Sequence, residues 1–281
     1  MPLLLLVSLV WAFSFGLIKG RLGGLDSSFI SAVRLGLALL VFLPFFRSRG
    51  LTWRLTLSLV GIGAMQFGLM YLAYNESYKH LPAYEVALFT LTTPIIVTLF
   101  ADALERTLRL RALLAALLAV AGAGVVAFKP NMVVGSLLGL GLVQVSNSAF
   151  AVGQVLYRRV RTKNPPVNDR QVFALLYAGG LAATLPLALA RNNLATLGLN
   201  HGQLWTLLYL GVVASGLCFF WWNLGSTRVS TATLAVFNNA KVPLGVACSL
   251  LFFGESADLP RLLIGGVLMI AALALAVRKE N

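Results

Sequence analysis

Acidic residues are scarce in this chain of 281 residues: nine Asp and Glu stand against 22 Lys and Arg, and charged residues make up only 11% of the whole. An average soluble domain has about 25% charged residues, so a compact particle of this composition lacks the polar side chains to cover its surface. The shortage also argues against a membrane-embedded enzyme, since the chain shows no carboxylate cluster, no H-E-x-x-H and no Ser/His/Asp arrangement. Cysteine is nearly absent. Cys218 and Cys248 sit in apolar runs and offer neither a disulfide framework nor a zinc spacing. Without a Walker A loop, ATP-driven work would need another subunit, and nothing resembles a carbonyl-ring ion filter. No cofactor is expected. Disorder is excluded by what is abundant: 59% of residues are apolar and mean hydropathy is +0.86, the reverse of a disordered composition.

Long apolar runs fill the chain. A membrane-spanning helix needs about 20 mostly apolar residues, and that ruler predicts ten spans at 2–19, 27–46, 54–75, 82–101, 110–128, 134–157, 171–189, 204–224, 229–253 and 260–277. The fold class expected is all-α integral membrane. Barrel strands would alternate apolar and polar residues, and Leu113-Leu114-Ala115-Ala116-Leu117-Leu118 does not. The first run lacks a basic leader and a small-x-small cleavage site, so it reads as a retained helix and not a signal peptide.

The net charge of +13 follows from orientation. With both termini cytoplasmic, the inner segments carry Arg47, Arg49, Arg54, Arg106, Arg109, Arg111, Arg158, Arg159, Arg161, Lys163, Arg170, Arg228, Arg278 and Lys279, fourteen in all. The outer segments carry Lys19, Arg21, Lys79, Lys129, Arg191 and Arg261, six in all. This bias matches the positive-inside rule, so the excess charge implies a lipid bilayer partner and no nucleic acid. The location expected is a bacterial-type inner membrane.

The densest basic run, Arg158 to Lys163, precedes Pro165-Pro166 and reads as a link between two five-span halves, 1–130 and 131–281. Trp11-Ala12 precedes Lys19 by eight residues, as Phe150-Ala151 precedes Arg158; Pro94 and Glu105 near the end of span 4 match Pro243 and Glu255 near the end of span 9. Homologous units with an odd number of spans must sit in opposite orientations, the architecture usual in secondary transporters. Together with Phe13, Ser14, Phe15, Arg34-Leu35 and Phe253-Gly254-Glu255, these residues mark a chain that resembles the EamA-type members of the drug/metabolite transporter superfamily. The resemblance covers essentially the whole chain. It departs from the family pattern at Ala101-Asp102-Ala103-Leu104-Glu105, where a Gly-Glu pair is usual, and at Phe150, where Trp is common. The resemblance implies a central site formed mainly by spans 1, 3, 4, 6, 8 and 9, export of amino acids or related metabolites by alternating access, and a structural role for Arg34.

Polar residues inside the spans are the candidates for a substrate site, because a charge at the bilayer centre costs at least about 2.5–3.5 kcal/mol. Lys241 lies midway along span 9 in Asn238-Asn239-Ala240-Lys241-Val242-Pro243. Either this group binds a substrate anion, or it is a buried knot with Lys241 paired to a carboxylate. Glu85 in span 4 is the other charge of interest. If it shares a cavity with Lys241, the pair suits a zwitterion, and Tyr84-Glu85-Val86 resembles aromatic amino-acid exporters faintly. Tyr71, Tyr74, Asn75 and Tyr78 share a face of span 3, and Asn147 and Gln154 share a face of span 6 beside Gln144. Trp11 and Ser14 share a face of span 1. The substrate-binding set expected is Lys241, Asn238, Asn239, Glu85, Trp11, Ser14, Tyr74, Tyr78, Asn147 and Gln154, with no metal. Interhelical glue is the competing account of the amides.

Outside that set, at least one of Trp221 and Trp222 is expected in an interfacial belt, and Glu76, Lys79 and His80 in an exposed charge cluster. Gly122, Gly124, Gly265 and Gly266 suit close packing of spans 5 and 10, and Gly135 and Gly139 form a small-xxx-small pair. A channel or facilitator and a membrane-embedded enzyme are the rival functions. Substrate identity, direction of transport, proton coupling and oligomeric state are left open by the sequence.

Overall fold

The computed structural model describes residues 1–22, 24–81, 86, 88–127, 136–164, 167–192, 198–252 and 259–277. Tyr84, Glu85, Lys129, Gly135, Pro165, Pro166, Phe253, Gly254, Glu255, Arg278 and Lys279 lie outside the described residues, as do the side chains of Phe13, Phe15, Lys19, Pro243 and Cys248. The helices run in the order α1 (Pro2–Arg21), α2 (Ser27–Phe42), α3 (Trp53–Ser77), α4 (Thr93–Glu105), α5 (Leu110–Ala127), α6 (Leu137–Lys163), α7 (Asp169–Arg191), α8 (His201–Ser226), α9 (Thr231–Phe252) and α10 (Leu259–Val277). No strand occurs among the described residues. Five stretches are long and apolar enough to cross a membrane: Ser27–Phe45, Trp53–Ser77, Asp169–Arg191, His201–Ser226 and Pro260–Val277. Pro2–Ala12 and Leu110–Val125 are shorter apolar stretches.

The helix starts follow local chemistry. Asp26, Thr52, Ser136, Asn168 and Asn200 each place a side-chain oxygen on a free amide of the first turn, the pairing that makes such residues good N-caps. At α8 the bond is reciprocated, since Gln203 reaches back to the Asn200 amide. α4 ends where Arg106 turns left-handed at φ 52°. Two helices are wound more loosely in the middle: α3 has a π-helical segment at Ala64–Leu69 and α8 one at Leu210–Leu217. Such segments leave carbonyls without their usual i+4 partner and are frequent at functional sites.

Helices α2, α3 and α7 pack together, with α8 against α2 and α1, α6 against α3 and α4, and α9 against α1 and α4. α5 and α10 pair at the periphery, where a Cβ on Gly122 would sit 2.9 Å from the Gly265 carbonyl oxygen. The α3–α7 crossing is closer still. A Cβ on Gly63 would lie 1.9 Å from the Leu176 carbonyl oxygen, and one on Gly179 would lie 1.9 Å from that of Val60. Phe42, Phe67, Phe173, Tyr177 and Phe220 fill the core beside this crossing. Leu137, Leu263, Ile270 and Trp205 point outward and are more than half exposed, as side chains do that meet lipid tails.

Charged residues tie the helix ends together. At one end Glu76 accepts from Ser27 at 2.6 Å and pairs with Lys79 at 3.0 Å and Arg191 at 3.8 Å, joining α2, α3 and α7. The cluster at Glu76 and Lys79 is therefore only partly exposed, and it holds helices together. At the other end Arg109 pairs with Asp102 at 2.7 Å and Glu105 at 3.0 Å. Arg161 pairs with Asp169 at 2.7 Å, and Arg158 donates to Thr231 at 3.0 Å. The basic run at Arg158 to Lys163 is thus bonded to neighbouring helices.

Candidate functional site

The bundle encloses a cavity with about 660 Å³ of empty space, counted out to its open mouth. α1 supplies Trp11 and Ser14, α3 supplies Met70, Tyr71 and Tyr74, and α6 supplies Ser146, Asn147 and Phe150. Thr90 and Thr93 come from the start of α4, Phe219 from α8, Lys241 from α9 and Arg34 from α2. α2 thus joins the helices that the family resemblance implied.

One wall is aromatic. The Trp11 ring lies 5.1 Å from Phe219, 5.0 Å from Trp222 and 6.1 Å from Phe150. Trp11 is fixed at its polar edge, where Nε1 donates to the Ala214 carbonyl at 2.9 Å. That carbonyl belongs to the π-helical segment of α8, and the next two carbonyls accept from the Tyr177 hydroxyl at 2.8 and 2.5 Å. The loosened turn is therefore satisfied by side chains from α1 and α7, as buried backbone groups require. Trp222 is 1% exposed and donates to Gln154 at 2.8 Å, so it belongs to the core; Trp221 is partly buried beside it.

A second wall forms where α4 begins. Thr90–Thr92 make a tight 3₁₀ turn ahead of Pro94, and proline removes a donor and leaves a carbonyl free. The Phe89 carbonyl accepts from Asn147 at 2.8 Å and from Gln144 at 3.3 Å, while Leu91 accepts from Asn239 at 3.0 Å. Amides from α6 and α9 thus clamp this break from two sides.

Five expected site residues meet at the cavity: Lys241, Trp11, Ser14, Tyr74 and Asn147. Gln154 and Asn238 lie outside its lining, joined at 3.5 Å behind the aromatic wall. Asn239 serves the α4 break, with its Oδ1 buried and unbonded. Tyr78 touches the site through Tyr74, hydroxyl to hydroxyl at 2.6 Å. Asn75 turns away to donate to Ser31 at 2.8 Å. Glu85 is outside the described residues, and among the described residues no carboxylate lines the cavity.

The residues absent from the expected set are Arg34, Tyr71, Met70, Thr90, Thr93, Ser146, Phe150 and Phe219. Arg34 carried a visible signal as a charge inside a span. Thr90 and Thr93 were marked only by their place before Pro94. Ser146 and Phe219 carried none, because small and apolar residues occur on every face of these helices.

The model of the EamA-like transporter family matches residues 1–128 and 137–278. The chain belongs to that family. This EamA-like protein is therefore a membrane transporter and not an enzyme, with a small-molecule substrate and a multi-pass inner-membrane location. It is 42% identical over 276 residues to a Pseudomonas aeruginosa protein named "Probable biotin transporter", covering 97% of this chain and 96% of that one. Proteins named "Biotin transporter" from Salmonella typhimurium and Escherichia coli K12 are 38% and 37% identical over 275 residues, covering 97% of this chain and 91% of each relative. A crystal structure of a protein 19% identical in sequence superposes with a TM-score of 0.77, over 97% of this chain and 94% of that one. At that identity the likeness concerns the fold alone.

Proposed function

We propose that the chain is a ten-span secondary transporter that moves biotin, or a close biotin-like acid, by alternating access. The observation that carries this reading is the chemistry of the cavity. Biotin joins a fused ureido and thioether ring system to an alkyl chain that ends in a carboxylate. The aromatic wall of Trp11, Phe150 and Phe219 suits the rings. Ser14, Tyr74, Thr93 and Asn147 offer hydroxyl and amide groups for the ureido edge, and Lys241 and Arg34 bring positive charge for the acid. The relatives at 37–42% identity bear biotin in their names. Amino acids, the cargo expected from the sequence, relied on Glu85 to hold an ammonium group, and biotin has none.

The two halves, 1–130 and 131–281, are proposed as inverted repeats with both termini cytoplasmic. The family matches at 1–128 and 137–278 support the division. So do the π-helical segments, which fall in the third helix of each half. Like pairs with like where α2 meets α7 and α5 meets α10, while the α3–α7 contact is mirrored by α2–α8. The fourteen-to-six bias of basic residues supports the orientation. The ion clusters at Glu76 and at Asp102 sit at the two ends of the bundle, where alternating access needs contacts that open and close in turn.

Thermal-shift screening of the purified protein tests the substrate. Biotin is expected to raise the melting temperature with a saturable dose dependence, and Trp11→Ala to weaken the effect. A shift with aromatic amino acids and none with biotin would sink the biotin reading.

A further inference from the structure

Arg34 is 4% exposed and lines the cavity. Its Nε donates to the Ser215 hydroxyl at 3.1 Å and its Nη2 to the Tyr71 hydroxyl at 2.5 Å. These two hydroxyls are themselves joined at 2.8 Å, and the guanidinium carbon stands 4.3 Å over the Tyr71 ring. Three helices therefore fix the plane of one cation: α2 carries it, α3 stacks under it, and the π-helical segment of α8 holds its edge. Yet Nη1 is buried and has no hydrogen-bond partner, and among the described residues no carboxylate lies within ion-pair distance of Arg34. An interhelical staple alone would not need a buried donor left open. A desolvated charge with only neutral partners is costly, and a carboxylate placed against Nη1 would remove that cost.

We propose that Arg34 is the carboxylate anchor of the transport site, with Ser215 and Tyr71 as its positioning residues. This deepens the acid-cargo reading and rests on it. Lys241 lines the same cavity from α9, but an ammonium is a compact point charge, whereas a guanidinium presents a rigid fork that matches a carboxylate. The acid end of the cargo therefore points toward α2 and α8, and its ring system lies along the aromatic wall. Cargo selection follows: acids are taken, and their neutral amides are refused.

The test measures binding of biotin and of biotinamide to the purified full-length protein. Wild type should prefer the acid by about 30-fold or more, the loss typical when a buried charged partner is removed. Arg34→Gln should bring acid affinity down to that of the amide and leave amide affinity unchanged. Arg34→Lys keeps the charge but loses the fork, and Ser215→Ala loosens it; both should reduce the preference for the acid over the amide, a ratio that a merely structural role would not move. Arg34→Lys carries the test if the glutamine variant fails to fold. A wild-type acid preference retained in folded Arg34→Gln or Arg34→Lys would overturn the assignment. If wild type binds neither biotin nor biotinamide, the biotin reading falls, and the same ratio is then measured with N-acetylphenylalanine and its amide. A wild type with no acid preference in that pair overturns the anchor too.

Discussion

The bond between Gln66 and Asn223 offers a direct check on how α3 and α8 are held together. Both residues are fully buried. Gln66 Nε2 donates to Asn223 Oδ1 at 2.9 Å, and Asn223 Nδ2 donates to Gln66 Oε1 at 3.1 Å. Gln66 lies in the π-helical segment of α3 and Asn223 near the end of α8. Replacing one partner leaves the other amide buried with both its donor and acceptor unmet, which costs roughly 1–3 kcal/mol. Replacing both removes the unmet groups together. Gln66→Met preserves the stem that packs on Gly153, and Asn223→Leu preserves the volume. Interhelical bonds in membrane proteins show coupling of about 0.6 kcal/mol on average and about 1.7 at most. A reciprocal pair belongs toward the upper end, so a coupling of about 1–1.5 kcal/mol is expected. The assay is a double-mutant cycle by denaturant unfolding in mild detergent, followed by tryptophan fluorescence. Each single variant should be less stable than wild type, and the double variant should lose clearly less than the sum. Additivity within about 0.3–0.5 kcal/mol would refute the pair as a working clasp.

Further outcomes follow from the packing and the caps. Gly63→Ala drives a methyl group into the Leu176 backbone and should cost about 1–3 kcal/mol, seen as a lower melting temperature; an unchanged value would contradict the α3–α7 crossing. Asp26 is the N-cap of α2, and Asp26→Ala should cost about 1 kcal/mol near neutral pH. Burial alone would raise its carboxyl pKa, but hydrogen bonds from Ser28, Asn192 and the amides of Ser28 and Phe29 outweigh that and hold it below the ordinary 3.8. A folded-state value lowered in this way contributes stability above the unfolded value, and that contribution is lost as pH falls through the folded one. The gap between wild type and Asp26→Ala should therefore be full at pH 7 and narrow progressively once pH falls below the ordinary 3.8, and a gap that does not narrow at all on acidification would contradict the cap.

Helix positions were legible because apolar runs and capping residues act locally. The run at 171–189 became Asp169–Arg191 once the Asn168 cap was included, and 204–224 became His201–Ser226 through the Asn200 capping box. The π-helical segments were not legible: Ala64–Leu69 and Leu210–Leu217 keep the same apolar composition as their flanks. Polar residues inside spans fall at or near the cavity, but spacing did not tell which of them line it. Lys241 lines the cavity while Asn238 and Asn239, three and two residues away, bond to neighbouring elements, and helical spacing alone does not say which neighbour each one meets. Arg34 was set aside because a family pattern assigned it a structural role. Its open Nη1 depends on Tyr71 and Ser215, residues 37 and 181 positions away in sequence, and no local pattern contains that.

The proposed function has an acid cargo enter the cavity and be carried through by alternating access. Counterflow in proteoliposomes tests it most directly. Vesicles loaded with unlabelled biotin and placed in a trace of labelled biotin should accumulate label transiently above the equilibrium level, with saturable dependence on external biotin and loss of the effect in Arg34→Gln. Label that only equilibrates, at a rate linear in concentration, would mean a pore, and no biotin-dependent flux above empty vesicles would contradict the account altogether.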